Sequence, residues 1–331
     1  MSTFTVTIEQ IKSIHPHPSA DRLEIAKVLG TQTIVTKGAY KEGDKVTFFP
    51  PDLLIDPKVA VTLGVANYLK HADYKGERCQ CRVAAVRLRG IPSYGFVIPG
   101  NGELGSDVST LYGAVKYQPP EPKCMDIERD HPLFHTYTSI EHYWKYPDLL
   151  VPGEQVYISE KLHGTSSRLG YIATDLLDTP YKFMAGSHYK PLKQGNNLYW
   201  QPMELVKDLL IGQGHSAILF GEIYGPKVQD LDYGENVPKF RAFDLSINGQ
   251  YVDYYEFEAQ CDKYCVPTVP VIYEGPFDPD LVEGWTHGPT LLRPSKKFKG
   301  REGVVIKPVT ERQTIYGRTI LKSVSADYLA R

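Results

Sequence analysis

Three prolines within six residues, in the stretch QPPEPK from Gln118 to Lys123, constrain this chain more than any other feature. Proline fixes φ and lacks an N–H, so neither a helix nor a central strand continues through such a run. The reading that follows is an interdomain linker over residues 118–124, with one domain over 1–117 and another over 125–331. At 331 residues the chain has room for two domains of ordinary size.

The two halves differ in pattern. Before the prolines, short alternating or β-branched runs are separated by Gly, Pro and Asp. They cover Phe4–Ile8, Leu23–Val28, Thr33–Lys37, Lys45–Phe49, a longer Cys79–Arg89 and Tyr94–Ile98, with one helix expected over Pro57–Lys70. This spacing predicts a small β-barrel or sandwich. After the prolines, helical patterns over Gln201–Leu210 and Tyr254–Lys263 alternate with strand patterns, so the fold class is α+β.

Composition excludes several classes. Hydrophobic residues at 42% and charged residues at 23% argue against disorder. No apolar run approaches the roughly 18 residues a membrane span needs. The first ten residues lack the basic start and apolar core of a signal peptide. The five cysteines show no CxxC spacing and no His cluster that would complete a zinc set, so reduced structural thiols and a cytoplasmic or nuclear location are expected. Cys261 and Cys265 are spaced to share a helix face. The net charge of −2 speaks against a protein that grips nucleic acid over its whole surface. Five cations in RPSKKFKGR, from Arg293 to Arg301, form a local exception, and Arg87-Leu-Arg89 a smaller one. Such runs are most often solvated faces.

The chemistry is carried by VYISEKLHGTSSR, from Val156 to Arg168. A strand pattern ends at Lys161 and Gly164 opens a turn. A lysine with its ordinary pKa of about 10.4 is neutral roughly one time in a thousand near pH 7.4. A nucleophilic lysine therefore needs cations or desolvation around it, and a shift of three units takes about 4 kcal/mol. Alone, the tetrapeptide reads as a surface lysine before a turn. Four further blocks change the reading. ILFGEIYG places Glu222 between glycines, FRAFDLSI sets Phe243 and Asp244 in opposite phase, REGVVIK joins Glu302 to Lys307, and TILKSV adds Lys322.

These five blocks, in this order, resemble motifs I, III, IIIa, IV and V of the covalent nucleotidyltransferases, the superfamily of ATP-dependent DNA ligases, RNA ligases and capping enzymes. Lys161-Leu-His163-Gly164 has His where Asp is usual, a variant similar to the RNA ligase 2-like branch. The chain ends nine residues after Lys322, which leaves no place for the C-terminal OB domain of DNA ligases and capping enzymes. A β-rich module before a minimal ligase domain resembles the RNA ligases of the Deinococcus and Naegleria type. HPHPSADRL, from His15 to Leu23, is also similar to the opening of some tRNA-binding OB modules. The resemblance implies a nucleotidyltransferase domain of antiparallel sheets and helices, preceded by an OB-like nucleic-acid-binding barrel.

It further implies an ATP-dependent RNA ligase. Lys161 takes AMP from ATP, the AMP passes to an RNA 5′-phosphate, and a 3′-hydroxyl displaces it, with nicks in RNA or RNA/DNA duplexes as substrate and a monomer as the working form. Glu160, Leu162, His163 and Arg168 are expected around the nucleotide, Glu222 at the ribose, Phe243 stacked on adenine, and Lys307 and Lys322 at the phosphates. Glu302, and then Asp244, are the expected ligands of Mg²⁺ or Mn²⁺. Strict alternation sets Glu302 and Lys307 on opposite strand faces unless a bulge falls at Gly303. Val324 and His188 stand where the family pattern usually has a lysine and an arginine. A DNA ligase or guanylyltransferase with unusual domain order, or a non-catalytic ligase-fold RNA-binding protein, are the competing readings.

Overall fold

Alternation of apolar and polar residues is realised as mostly antiparallel sheet throughout the chain. The structure, a computed structural model, describes residues 5–29, 31–117, 126–174, 180–314, 317–329 and 331. The proline-rich linker expected at 118–124 lies outside the described residues. The chain divides into two compact units, one over Met1–Glu121 with Leu329–Arg331, the other over Pro122–Tyr328.

In the first unit, strands 96–99, 45–49, 7–16, 23–28 and 31–36 form a five-stranded antiparallel sheet in that order. A four-stranded sheet orders 115–116, 53–54, 77–83 and 70–74. Between them lies a core of Val6, Phe49, Leu53, Ile55, Leu69 and Val83. Two sequence expectations change here. The helix expected to reach Lys70 runs only over Pro57–Thr62, because Gly64 at φ +68° breaks it. The long strand expected over Cys79–Arg89 is two, Glu77–Val83 and Ala85–Leu88, and Arg89 at φ +49° turns the second into a hairpin with Ile91–Tyr94.

The second unit packs two sheets. One has six antiparallel strands in the order 191–192, 181–187, 165–173, 217–224, 239–247 and 250–251. Its outer face carries Leu169, Ala217, Leu219, Ile223 and Phe240 against the helices Met203–Gly212 and Tyr254–Lys263. The other orders 141–142, 321–324, 303–308, 155–161 and 271–276. Val156, Ile158, Val304, Ile306 and Leu321 fill its outer face. Residues paired across strands share a face and alternate along each strand. The opposite face of this sheet therefore carries Tyr157, Ser159 and Lys161 together with Lys307, Val305, Gly303, Lys322 and Val324. The inner faces of the two sheets meet around Phe134, Tyr137, Ile172, Phe220, Phe243 and Val305.

Cys79, Cys81, Cys261 and Cys265 are free thiols. Burial pushes Cys81 and Cys261 up to about 12, which leaves them unreactive. Cys265 does not share a helix face with Cys261: the helix ends at Lys263, and Cys265 lies beyond it, exposed, at φ +55°. Among the described residues, no helix is long and apolar enough to cross a membrane.

Candidate active site

Lys161 is the last residue of the strand Gln155–Lys161, on the inner face of its sheet, and its side chain is partly exposed. Its Nζ donates to Glu302 Oε1 at 2.6 Å. Glu302 reaches it without a ladder bulge. The pairing runs unbroken from Lys161 opposite Gly303 to Val156 opposite Pro308. Glu302 lies just before the strand, and the glycine after it, at φ +157°, lets the chain turn there. A Cβ on Gly303 would stand 2.1 Å from the Ser323 carbonyl oxygen. Gly303→Ala is therefore expected to cost about 1–3 kcal/mol through overpacking, read by urea denaturation; unchanged stability would contradict this account.

Gly164 serves a similar end on the other side. A side chain there would meet the Ile223 carbonyl at 2.2 Å and Glu222 Cγ at 3.0 Å. Without one, its N–H bonds the Glu222 carboxylate. Burial, opposed by Lys161 and reinforced by Glu302, pushes Glu222 up to about 8. The expectation that nearby cations lower the Lys161 pKa is corrected. Burial does act to lower it, but Glu302 and then Glu222 outweigh that and raise it. In the free protein Lys161 is a clamped ammonium.

His163 is bonded through its backbone and its ring. Its N–H donates to the Tyr233 hydroxyl at 2.7 Å, Nε2 lies 2.7 Å from Asp230 Oδ1, and Nδ1 lies 2.7 Å from the Tyr328 hydroxyl. Nδ1 is also 3.8 Å from Glu302 Oε2. A carboxylate only accepts, so Nε2 carries a proton toward Asp230.

Phe243 and Asp244 depart from strict alternation. The strand Lys239–Ile247 pairs Phe220 with Asp244 and Gly221 with Ala242, which leaves Phe243 as the extra residue of a bulge. Both side chains consequently meet Tyr137, the ring of Phe243 at 5.0 Å and the carboxylate of Asp244 at 2.7 Å. Phe243 is half-buried at the junction of the two sheets. Asp244 does not join Glu302. It is 1% exposed and accepts from Lys307 Nζ at 2.7 Å, with Arg318 NH1 also at 2.7 Å. Lys307 Nζ further donates to the Phe243 carbonyl at 3.3 Å. Burial works against ionisation of Asp244, but Lys307 and Arg318 overcome it and hold the carboxyl below its usual range. Burial pulls Lys307 down despite Asp244.

The remaining expected residues divide. Lys322 is opposite Val305, on the Lys161 face. Glu160 faces away from Lys161: its buried carboxylate accepts from Thr290 Oγ1 at 2.5 Å and from the Leu291 N–H at 2.7 Å. Leu162 is buried beside Tyr224, Leu231, Tyr233 and Val269. Arg168 is 3% exposed, donates to the carbonyls of Phe134 and Ser187, and lies over the Phe134 ring. Burial draws it down to about 10. Val324 is paired with Gly303, and His188 stands just past the strand Tyr181–Ser187, its ring edge-on to Tyr189. Sequence reasoning missed Asp230, Tyr233, Tyr328, Tyr137, Arg318 and Glu311. The 23 tyrosines were a signal of kind but not of place.

A lysine presented by one sheet to carboxylates from both, in a unit with a half-buried aromatic ring where the sheets meet, defines a ligase-type nucleotidyltransferase domain, here preceded by a small β-rich unit. The RNA ligase family model matches residues 154–324, and an OB-fold domain model matches residues 5–100. The chain belongs to the RNA ligase family. Its structure is similar to that of a mutant Naegleria gruberi RNA ligase with ATP and Mn, at TM-score 0.79 and 24% identity over 98% of each chain. The same ligase with PPi gives TM-score 0.77 and 24% identity, covering 99% of this chain and 98% of that one. A mutant with AMP and Mn gives 0.78 and 23% over the same shares. No curated protein sequence matches significantly.

Proposed function

We propose that this RNA ligase is ATP-dependent and works through AMP carried on Lys161. The observation that carries the reading is the meeting of Lys161, Glu302 and Glu222 in a unit that also holds Phe243 half-buried where its two sheets meet. The Lys161 amine, once free of its proton, attacks the α-phosphorus of ATP; a P–N bond forms and the P–O bond to pyrophosphate breaks. A 5′-phosphate then displaces the lysine, and an RNA 3′-hydroxyl displaces AMP. In such transfers positioning and charge neutralisation supply most of the catalysis. Phe243 offers a face for adenine, Glu222 an acceptor for a ribose hydroxyl, and Lys322 positive charge on the Lys161 face, while Lys307 acts from behind by holding Asp244 and the Phe243 carbonyl.

The site fits a divalent metal. Glu302 pairs with Lys161 at 2.6 Å, and Glu222, pushed up to about 8 chiefly by burial, is a second carboxyl that a bound cation would draw into its ionised form. Among the described residues, no group of three or more His, Cys, Asp or Glu forms a cage. One or two carboxylates completed by substrate phosphates is the usual Mg²⁺ arrangement. Glu302 and Glu222 would hold the ion, which supplies neutralisation of phosphate charge and favours the neutral amine. Asp244, already held by Lys307, Arg318 and Tyr137, anchors the Phe243 bulge instead.

On this reading residues 1–117 bind the nucleic acid and 125–331 carry the chemistry. The substrate is a nick whose 3′-hydroxyl strand is RNA, RNA/DNA hybrids included, and the working form is an intracellular monomer. Sealing of 5′-phosphate nicks with each RNA/DNA strand combination tests it. RNA at the 3′-hydroxyl end is expected to seal at least about tenfold faster than DNA, the ratio about 1.4 kcal/mol of discrimination gives. Equal rates would refute the RNA requirement, and a GMP adduct without an AMP adduct would refute the nucleotide.

A further inference from the structure

Both neighbours of the central dipeptide Lys161-Leu162 are tied to the same loop. An isolated bridge between Pro289 and Gly300 closes this loop, and the Lys299 carbonyl accepts from the Thr290 N–H at 3.2 Å. On one side of the Lys161 strand, Glu160 grips the base of the loop through Thr290 and Leu291, at 2.5 and 2.7 Å. On the other, His163 bonds the Tyr328 hydroxyl, and the Tyr328 ring packs on Phe298 of the loop, 6.1 Å between centroids. Ser295 and Arg301 are buried, and Arg301 donates to the carbonyls of Trp285 and Pro289. The residues between these anchors, Arg293, Lys296, Lys297 and Lys299, are exposed.

A charge run without anchors is a solvated face. This one is planted at four points, two of them through the residues that flank Lys161 and Leu162. It is also tied to a site short of positive charge for a polyanion: the Lys161 ammonium is already paired with Glu302, Asp230 lies against His163, and the chain as a whole carries −2. Asp232 interacts with Lys296 and offsets part of the loop's charge, leaving the rest in surplus. Cations spread over positions 293, 296, 297 and 299 suit a succession of phosphates better than one anion.

We propose that the 290–299 loop is a ledge for the phosphodiester backbone of the RNA being sealed, holding the strand beside Lys161. This rests on the ligase reading. Lysines act here as point charges on phosphate, so the contribution is independent of sequence and sensitive to salt.

The test is the triple variant Lys296→Gln/Lys297→Gln/Lys299→Gln of the full chain, with a Lys→Arg triple as the charge-conserving control. RNA binding is measured by fluorescence anisotropy from low to moderate salt, and Lys161 adenylylation is measured with ATP in the absence of RNA. The Gln triple is expected to bind RNA about tenfold to a hundredfold more weakly at low salt, with a log–log salt slope shallower by about 2–3 for three lost phosphates. RNA-free adenylylation stays within about threefold, and the Arg triple binds like the parent. Parent-like binding and slope in the Gln triple would return the loop to a solvated face. A larger fall in RNA-free adenylylation would assign it to the nucleotide and overturn the proposal. Failure of the parent to form lysyl-AMP would instead sink the ligase reading, and the anisotropy result would still decide whether the loop holds RNA.

Discussion

Lys161→Ala is expected to abolish lysyl-AMP formation and, with it, sealing of 5′-phosphate ends. Loss of a covalent nucleophile that acts as part of a unit costs on the order of 10⁴–10⁶ in rate. Among the described residues, neither of the other two lysines on the same sheet face can substitute. Lys307 is 2% exposed and bound to Asp244, and Lys322 lies two pairs along the ladder from Lys161. The variant separates two steps. A strand that already carries 5′-AMP needs no lysine nucleophile, so the mutant should retain sealing of pre-adenylylated RNA within about tenfold, since one removed positive charge is worth about 1 kcal/mol or so at a partly exposed site. The measurement pairs label transfer from ATP with ligation of adenylylated RNA. A parent-like adduct in the mutant would place the nucleophile elsewhere. Folding should survive: Lys161 is partly exposed, and its removal relieves Glu302 of only one partner. The same substitution exposes the problem the site must solve, because Glu302 and Glu222 hold the free lysine in its charged form.

What the sequence made legible follows from how local each feature is. Strand Gln155–Lys161, the turn at Gly164 and the helix Tyr254–Lys263 depend on neighbours within a few residues, and their boundaries follow from pattern alone. The ordered blocks put Lys161, Glu222, Phe243, Glu302, Lys307 and Lys322 in one unit. What the pattern could not give was side-chain partnership across distance. Asp244 looked like a free carboxylate beside an aromatic. Its partners lie 63 and 107 positions away at Lys307 and Tyr137, and Arg318 belongs to no block at all. Glu160 appeared to belong with Lys161 by adjacency, yet alternation turns it to the other face and onto the 290–299 loop. The phase argument for Phe243 and Asp244 failed because a bulge is one extra residue, and period-two reasoning has no place for it. Glu302 joined Lys161 by the opposite means: the ladder stayed regular, and the glycine after Glu302 did the turning.

Asp244→Ala is expected to be the most destabilising substitution among the candidate site residues, by about 3–5 kcal/mol, the cost of breaking a buried ion pair from one side. The carboxylate is 1% exposed and its charge is shared by Lys307 and Arg318, both also buried. Glu311 still holds Arg318 through its Nε at 2.7 Å and through NH2, so the arginine keeps a partner. Lys307 keeps the Phe243 carbonyl at 3.3 Å, the Tyr157 ring at 5.0 Å and the more distant charge of Glu311, none of them a directly bonded carboxylate. The uncompensated charge therefore falls on Lys307, which burial already pulls toward the neutral form. The double variant Asp244→Ala/Lys307→Met removes charge from both sides, and it should recover at least about half of the loss, because taking out both partners of a buried pair is often near neutral. Denaturant unfolding of the parent, the two single variants and the double closes the cycle. Additive losses would mean that the pair does not couple and that Asp244 is held by Tyr137 and Arg318 alone. Activity should not follow stability. The bulge that presents Phe243 loses its anchor in the double variant, so KM for ATP in adenylylation is expected to stay raised even where the fold has recovered. A return of KM with stability would show that Phe243 keeps its place without Asp244.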